Sequence, residues 1–176
     1  MATDRLDRLP GKVERMSADG TFAAFYRHEY RPLVGLAFAL TGRADVAEDL
    51  VQEAMLRTHA RWGTVGSMDR PEMWVRRVLI NLATSRVRRL GAEARALARV
   101  RLERGGTVPA VSADAAMFWQ RVRRLPKRQV QVMALYYVED WSTADIAAAL
   151  ECAEGTVRAH LHAARTALSK DEGVQS

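Results

Sequence analysis

Arg158, His162 and Arg165 recur at i, i+4 and i+7, while Val157, Leu161, Ala164 and Leu168 recur at i, i+4, i+7 and i+11. At 3.6 residues per turn, the first set forms a cationic helix face and the second an apolar one. Guanidinium and imidazole groups on such a face neutralise phosphates and hydrogen-bond to base edges. That is the chemistry of reading a duplex, not of breaking bonds. Thr156 and His160 add a hydroxyl and a further imidazole to the same segment.

A reading helix needs a partner helix to set it in a groove. Ser142 is placed to cap one, with Asp145 three residues on in a variant of the capping box. Ile146 and Leu150 form its apolar stripe, and Ala147 is small enough for a close crossing. A three-residue break, Glu151-Cys152-Ala153, then leads into the cationic helix. The pattern is a helix-turn-helix. Two positions fit it poorly. Glu151 sits where the turn favours positive φ, at a cost of about 1 kcal/mol for a residue with a Cβ. Ala153 sits where a Ser or Thr cap would stabilise by about 1 kcal/mol. An amphipathic helix with Arg outside is also an ordinary solvated face, so this segment alone leaves both readings open.

A second basic face lies in PEMWVRRVLINLATSRVRR, which Pro71 opens at a first-turn position. Arg77, Asn81, Thr84 and Arg88 recur there at i, i+4, i+7 and i+11, with Ser85 beside them. Val75, Leu79 and Leu82 are the apolar positions, with Trp74 and Val78 alongside. Asn81 is suited to paired hydrogen bonds with a base edge, and Thr84 and Ser85 to base or backbone. The segment before it, ADVAEDLVQEAMLRTHARW, is acidic. Ala47, Val51, Ala54, Thr58 and Trp62 form its inner side; Asp45, Asp49 and Gln52 face out, flanked by Glu48 and Glu53. Carboxylates repel DNA, so this face calls for a protein partner.

Ala, Leu, Arg and Glu dominate the 176 residues and β-branched runs are scarce, which predicts an all-α chain. A net charge of +6 suits a polyanionic partner. Cys152 is the single cysteine, so no intramolecular disulfide forms, and its place predicts a small packed hydrophobe. The apolar run Val34–Leu40 is far short of the roughly 20 residues of a membrane span. The opening 20 residues lack a signal-peptide core. A cytoplasmic protein without membrane insertion is expected. The four histidines, His28, His59, His160 and His162, fall in no HExxH motif, and there is no CxxC or Ser/His/Asp order. His160 and His162 are two apart and point in different directions on a helix. The expectation is no catalysis, no cofactor and no metal.

The predicted organisation is a tail (1–20), a helical block (21–90) with a break near Pro32, a flexible linker (91–114), a second block (115–170) and a short tail (171–176). The linker is rich in Ala and Arg and is broken by Gly105, Gly106 and Pro109. In the second block Phe118, Val122 and Leu125 pattern one helix, and Pro126 opens the next. Two small helical domains on a tether result, the second containing the helix-turn-helix.

These segments resemble the extracytoplasmic-function (ECF) group of bacterial sigma factors over roughly two-thirds of the chain, in a style closest to the actinobacterial SigE-like branch. AEDLVQEAMLR is similar to the polymerase-binding helix of sigma domain two. PEMWVRRVLINLATSRVRR resembles its promoter-melting and −10-reading helix, and LPKRQVQVMALYYVEDWSTADIAAAL with EGTVRAHLHAAR resembles domain four, the −35 reader. The resemblance implies a dissociable RNA polymerase subunit that directs promoter recognition, melting and initiation. Asp49, Gln52 and Glu53, with Glu48 beside them, would meet a coiled coil on the largest polymerase subunit. Arg77, Asn81, Thr84, Ser85 and Arg88 would face the −10 element, and the loop from Gly63 to Arg70 would cradle an extruded base. Thr156, Arg158, His160, His162 and Arg165 would meet the −35 element. Promoter DNA and core polymerase are the implied partners, with an anti-sigma factor as a further candidate. His160 and Ala163 stand where many relatives carry Arg. The rival reading is an autonomous helix-turn-helix regulator, which leaves the acidic helix and the second basic helix without a purpose.

Overall fold

The computed structural model describes residues 21–96 and 113–173. The tail 1–20 and most of the linker therefore lie outside the described residues. Among the described residues eight helices run in order: α1 (Phe22–Thr41), α2 (Ala44–Ala60), α3 (Trp62–Val65), α4 (Pro71–Ala96), α5 (Ala113–Val122), α6 (Lys127–Tyr137), α7 (Thr143–Leu150) and α8 (Glu154–Gly173). No strand occurs among the described residues.

The first domain packs α1, α2 and α4 on one another. The Thr21 hydroxyl accepts from the Ala24 amide at 3.4 Å to cap α1, and Gly42 ends it at φ 72°. Gly42 donates to the Phe38 carbonyl at 2.7 Å, a left-handed cap that glycine takes without Cβ strain. The break expected near Pro32 does not occur: α1 runs through it. Proline removes the amide that would serve the His28 carbonyl, but Pro32 and His28 both lie on the exposed side, where water can serve that carbonyl. Phe25, Leu33 and Leu36, all fully buried, anchor the helix in the core on both sides of the position. In α2 the inner residues Ala47, Val51, Ala54 and Thr58 are buried as expected. Thr58 donates to the Ala54 carbonyl at 2.7 Å. Met73, Trp74, Val75, Leu79, Ile80 and Ala83 seat α4 on this core. α4 continues to Ala96, because Ala, Glu and Arg in that stretch are strong helix formers.

The second domain closes α5, α6 and α7 around α8. Val157, Leu161, Ala164 and Leu168 are all buried, with Val122, Met133, Leu135 and Ile146 among their company in the core. Ser142 caps α7 by accepting from the Asp145 amide at 3.1 Å. The Asp145 carboxylate turns back to the Ser142 hydroxyl at 2.8 Å. Glu151 ends α7 in the left-handed region at φ 52°, the strained turn the sequence predicts. Cys152 is half-buried against the core.

Ala153 starts α8 without a side-chain acceptor; its carbonyl takes the Thr156 and Val157 amides. Ala153→Ser is therefore expected to stabilise the chain by about 1 kcal/mol, read as a higher urea midpoint at unchanged m. A lower midpoint would show that the capping geometry is wrong.

The two domains also touch directly. α6 lies against α1, and α7 against α4. The tether reading did not foresee this contact.

Candidate nucleic-acid and polymerase interfaces

The fold gathers Arg77, Asn81, Thr84 and Arg88 on one side of α4, as their spacing requires. Asn81, Ser85 and Arg88 are exposed, while Arg77 and Thr84 are half-buried. The second domain is what covers them. The Arg77 guanidinium pairs with the Glu151 carboxylate, and the Thr84 hydroxyl accepts from Gln131 Nε2 at 2.8 Å. Arg77 and Asn81 line a polar crevice with Arg128, Gln131 and Glu151. Thr84 and Arg88 line a second, larger cleft between the domains, of about 300 Å³, with Leu125 and Val130 opposite. The 63–70 loop contains the single turn of α3, pinned by buried Val65. At its end Arg70 donates to Glu72 at 3.1 Å and also pairs with Asp145 across the domain boundary.

A buried ionic cluster, which periodicity did not identify, lies under this face. Arg76 and Glu29 are 6 % and 5 % exposed and pair at 2.5 Å. Arg76 also binds Glu139, from the turn between α6 and α7, and its guanidinium lies 5.9 Å from the Trp141 ring centroid. Burial works against the Arg76 charge, yet Glu139 and Glu29 outweigh it and hold the group above its ordinary value. Burial pushes the Glu139 carboxyl up; Arg76 opposes this and Glu29 adds to it. Glu139 Oε1 is buried without a hydrogen-bond partner. A signal for the cluster was present in the sequence. Arg76 interrupts the buried stripe Met73–Ile80–Ala83, and Glu29 interrupts Phe25–Leu33–Leu36.

In the first domain, α2 presents Glu48, Asp49 and Gln52 to solvent, with Glu53 half-buried. Glu53 accepts from Arg57 at 2.8 Å. Beside the acids runs a groove of about 370 Å³ lined by Phe22, Tyr26, Gln52, Met55, Leu56 and His59. Leu56 is 66 % exposed, and polarity-based reading of the helix passed over it. Tyr26 stacks on Tyr30 at 5.2 Å. Burial, Tyr26 and Glu48 raise the Tyr30 hydroxyl above its usual range, against a hydrogen bond from Gln52. Carboxylates around an apolar groove fit a protein partner, with the acids steering its approach.

On α8, Thr156, Arg158, His162 and Arg165 are exposed, and His160 is half-buried to one side. Arg158 donates to Glu154 at 2.7 Å. Arg165 is more constrained: it lies over the Tyr136 and Tyr137 rings at 5.3 and 5.7 Å and donates to the Tyr137 hydroxyl at 2.9 Å. That hydrogen bond raises its pKa. Among the described residues no helix is long and apolar enough to cross a membrane.

Comparison with known proteins matches both blocks. A Sigma-70 region 2 family profile matches residues 25–93, and a Sigma-70 region 4 profile matches residues 115–168. The RNA polymerase sigma-E factor of Streptomyces coelicolor is 34 % identical over 130 residues, covering 71 % of each chain. The ECF RNA polymerase sigma factor SigM of Mycobacterium tuberculosis is 29 % identical over 150 residues, covering 85 % of this chain and 76 % of the relative. Among solved structures, the sigma factor RpoE in complex with the anti-sigma factor NepR, from Bartonella quintana, superposes with a TM-score of 0.72. It is 26 % identical, and the match covers 88 % of this chain and 98 % of that one. Two matched regions in order, on a two-domain helical fold, make this chain a member of the ECF group of sigma factors.

Proposed function

We propose that this chain divides the work of a sigma factor among the three faces described above. The α2 face, Glu48, Asp49, Gln52 and Glu53, docks on the coiled coil of the largest polymerase subunit, with the Leu56 groove taking an apolar side chain. The α4 face, Arg77, Asn81, Thr84, Ser85 and Arg88, reads the −10 element. The α8 face, Thr156, Arg158, His160, His162 and Arg165, meets the −35 element in the duplex. An anti-sigma factor is a candidate regulator, the cytoplasm is the site of action, and nucleotide addition belongs to the polymerase's own centre.

The observation that carries this reading is the separation of charge. One acidic face, on α2, and two basic ones, on α4 and α8, are carried by separate helices of a chain of the sigma-factor family. An extruded base costs a few kcal/mol of unstacking and unpairing. A protein offsets that cost by binding the opened strand better than the closed duplex, and the cationic, amide-bearing face of α4 suits that task. Phosphates are held by Arg, and the bases by Asn81 and Thr84.

The test is transcription in vitro with purified core polymerase and a genomic fragment library. New start sites sharing two spaced promoter elements are expected, and transcripts identical with and without the chain would sink the reading. Sequence-specific operator binding without polymerase would favour an autonomous regulator instead. Within the same assay, Arg158→Ala should weaken −35-duplex binding and flatten its log–log salt slope by about 0.9, the loss of one phosphate contact. An unchanged slope would remove Arg158 from the contact set.

A further inference from the structure

We propose that the larger cleft is a binding site for a small amphipathic anion, a medium-chain fatty carboxylate, with its alkyl chain along the apolar walls and its head held by Arg123 with Arg88 and Lys127. The cleft encloses about 300 Å³, at the small end of the range for ligand pockets. Leu40 and Val87 of the first domain line it together with Leu125 and Val130 of the second. The three cations Arg88, Arg123 and Lys127 complete its border, and among the described residues no carboxylate lines it. An apolar slot bordered by charge of one sign selects an apolar body with a head of the opposite sign.

Arg123 is the residue that calls for the anion. Arg70, Arg76 and Arg77 each meet a carboxylate across the domain boundary. Arg123 is half-buried and meets none among the described residues, so burial lowers its pKa unopposed. Its guanidinium reaches the end of α1, donating to the Ala39 carbonyl at 3.4 Å and lying 6.0 Å from the Phe38 ring centroid. A Cβ on Gly42 would meet its Nε at 2.6 Å, so the bare glycine is what admits it. One long hydrogen bond engages only one of the group's several N–H donors. A partly desolvated cation without a counter-charge is unfavourable, and a carboxylate in the cleft supplies one.

The rest of the lining favours an alkyl body. The Thr84 hydroxyl accepts from Gln131 Nε2 at 2.8 Å, and Gln131 Oε1 accepts from Arg128 at 3.2 Å. Both polar side chains are thus already engaged and offer a poor match to a hydroxyl-rich ligand. Among the described residues no aromatic ring lines the cleft to stack on a base. Because both domains supply walls, the ligand stabilises their contact by mass action. The site does not depend on the assignment of α4 to promoter DNA.

The experiment is calorimetric titration of the full chain with octanoate, octanol and octylammonium, each below its micelle-forming concentration. Octanoate should bind as one molecule per chain, about tenfold or more tighter than octanol, and should raise the thermal midpoint. Octylammonium should not bind. Equal affinity for octanoate and octanol, or no binding of octanoate, would overturn the proposal. Arg123→Gln should erase the preference for octanoate while leaving octanol binding within about twofold; a preference that survives the change refutes the site. Should that variant lose helicity, Val87→Glu alters a residue 46 % exposed and places a carboxylate among the same cations. It should weaken octanoate binding about tenfold or more, and undiminished binding there also sinks the proposal.

Discussion

Asp49→Arg is expected to abolish co-purification with core polymerase while leaving the helical circular dichroism and thermal midpoint unchanged. Asp49 is exposed in the middle of α2 and contributes nothing to the core, and surface substitutions of this kind shift stability by only about 0.5 kcal/mol in either direction. The new cation would even lie four residues from both Asp45 and Glu53, a spacing that favours helical ion pairs. At the interface the sign is opposite. Placing a cation where the partner offers cations to a carboxylate face costs on the order of 2–5 kcal/mol, a loss of roughly thirtyfold or more. Undiminished co-purification would remove α2 from the polymerase contact and leave the Leu56 groove without its proposed partner.

Arg76→Ala should be the most destabilising single change in the described residues outside the apolar core. It strands two carboxylates, Glu29 at 5 % exposure and Glu139 beside it, and removing one partner of a buried ionic group typically costs about 3–5 kcal/mol. Glu139 has an escape, since domain separation returns it to water; Glu29, inside α1, does not. Two consequences follow: a fall of about 10 °C in the thermal midpoint of a chain this size, and a more expanded chain before unfolding. The triple replacement Arg76→Met/Glu29→Leu/Glu139→Leu should recover much of the loss, since apolar residues of similar volume often match a buried ion pair. A loss below about 1 kcal/mol for Arg76→Ala would mean that the cluster is hydrated rather than buried.

The contrast between these two variants reflects what a linear chain encodes locally and what it does not. The α8 stripe of Val157, Leu161, Ala164 and Leu168, the inner side of α2 and the Ser142 cap were readable because each depends on neighbours within about two helical turns. The same is true of the strained Glu151 turn. Pro32 misled for a related reason: its helix-breaking tendency is local, and the packing of Phe25, Leu33 and Leu36 that overrides it is not. Ionisable residues inside apolar stripes, Glu29 and Arg76, were visible as anomalies, but an anomaly does not name its partner.

By itself, then, the order of residues determined the all-α character, the three charged faces and the family these belong to. The tertiary structure alone decided that Arg76 joins Glu29 and Glu139 across 47 and 63 positions, and that Arg77 and Thr84 lie under domain four rather than open to water. The physical reason is range. A helix face follows from a 3.6-residue period, whereas a buried charge is satisfied by whatever the folded chain brings to it.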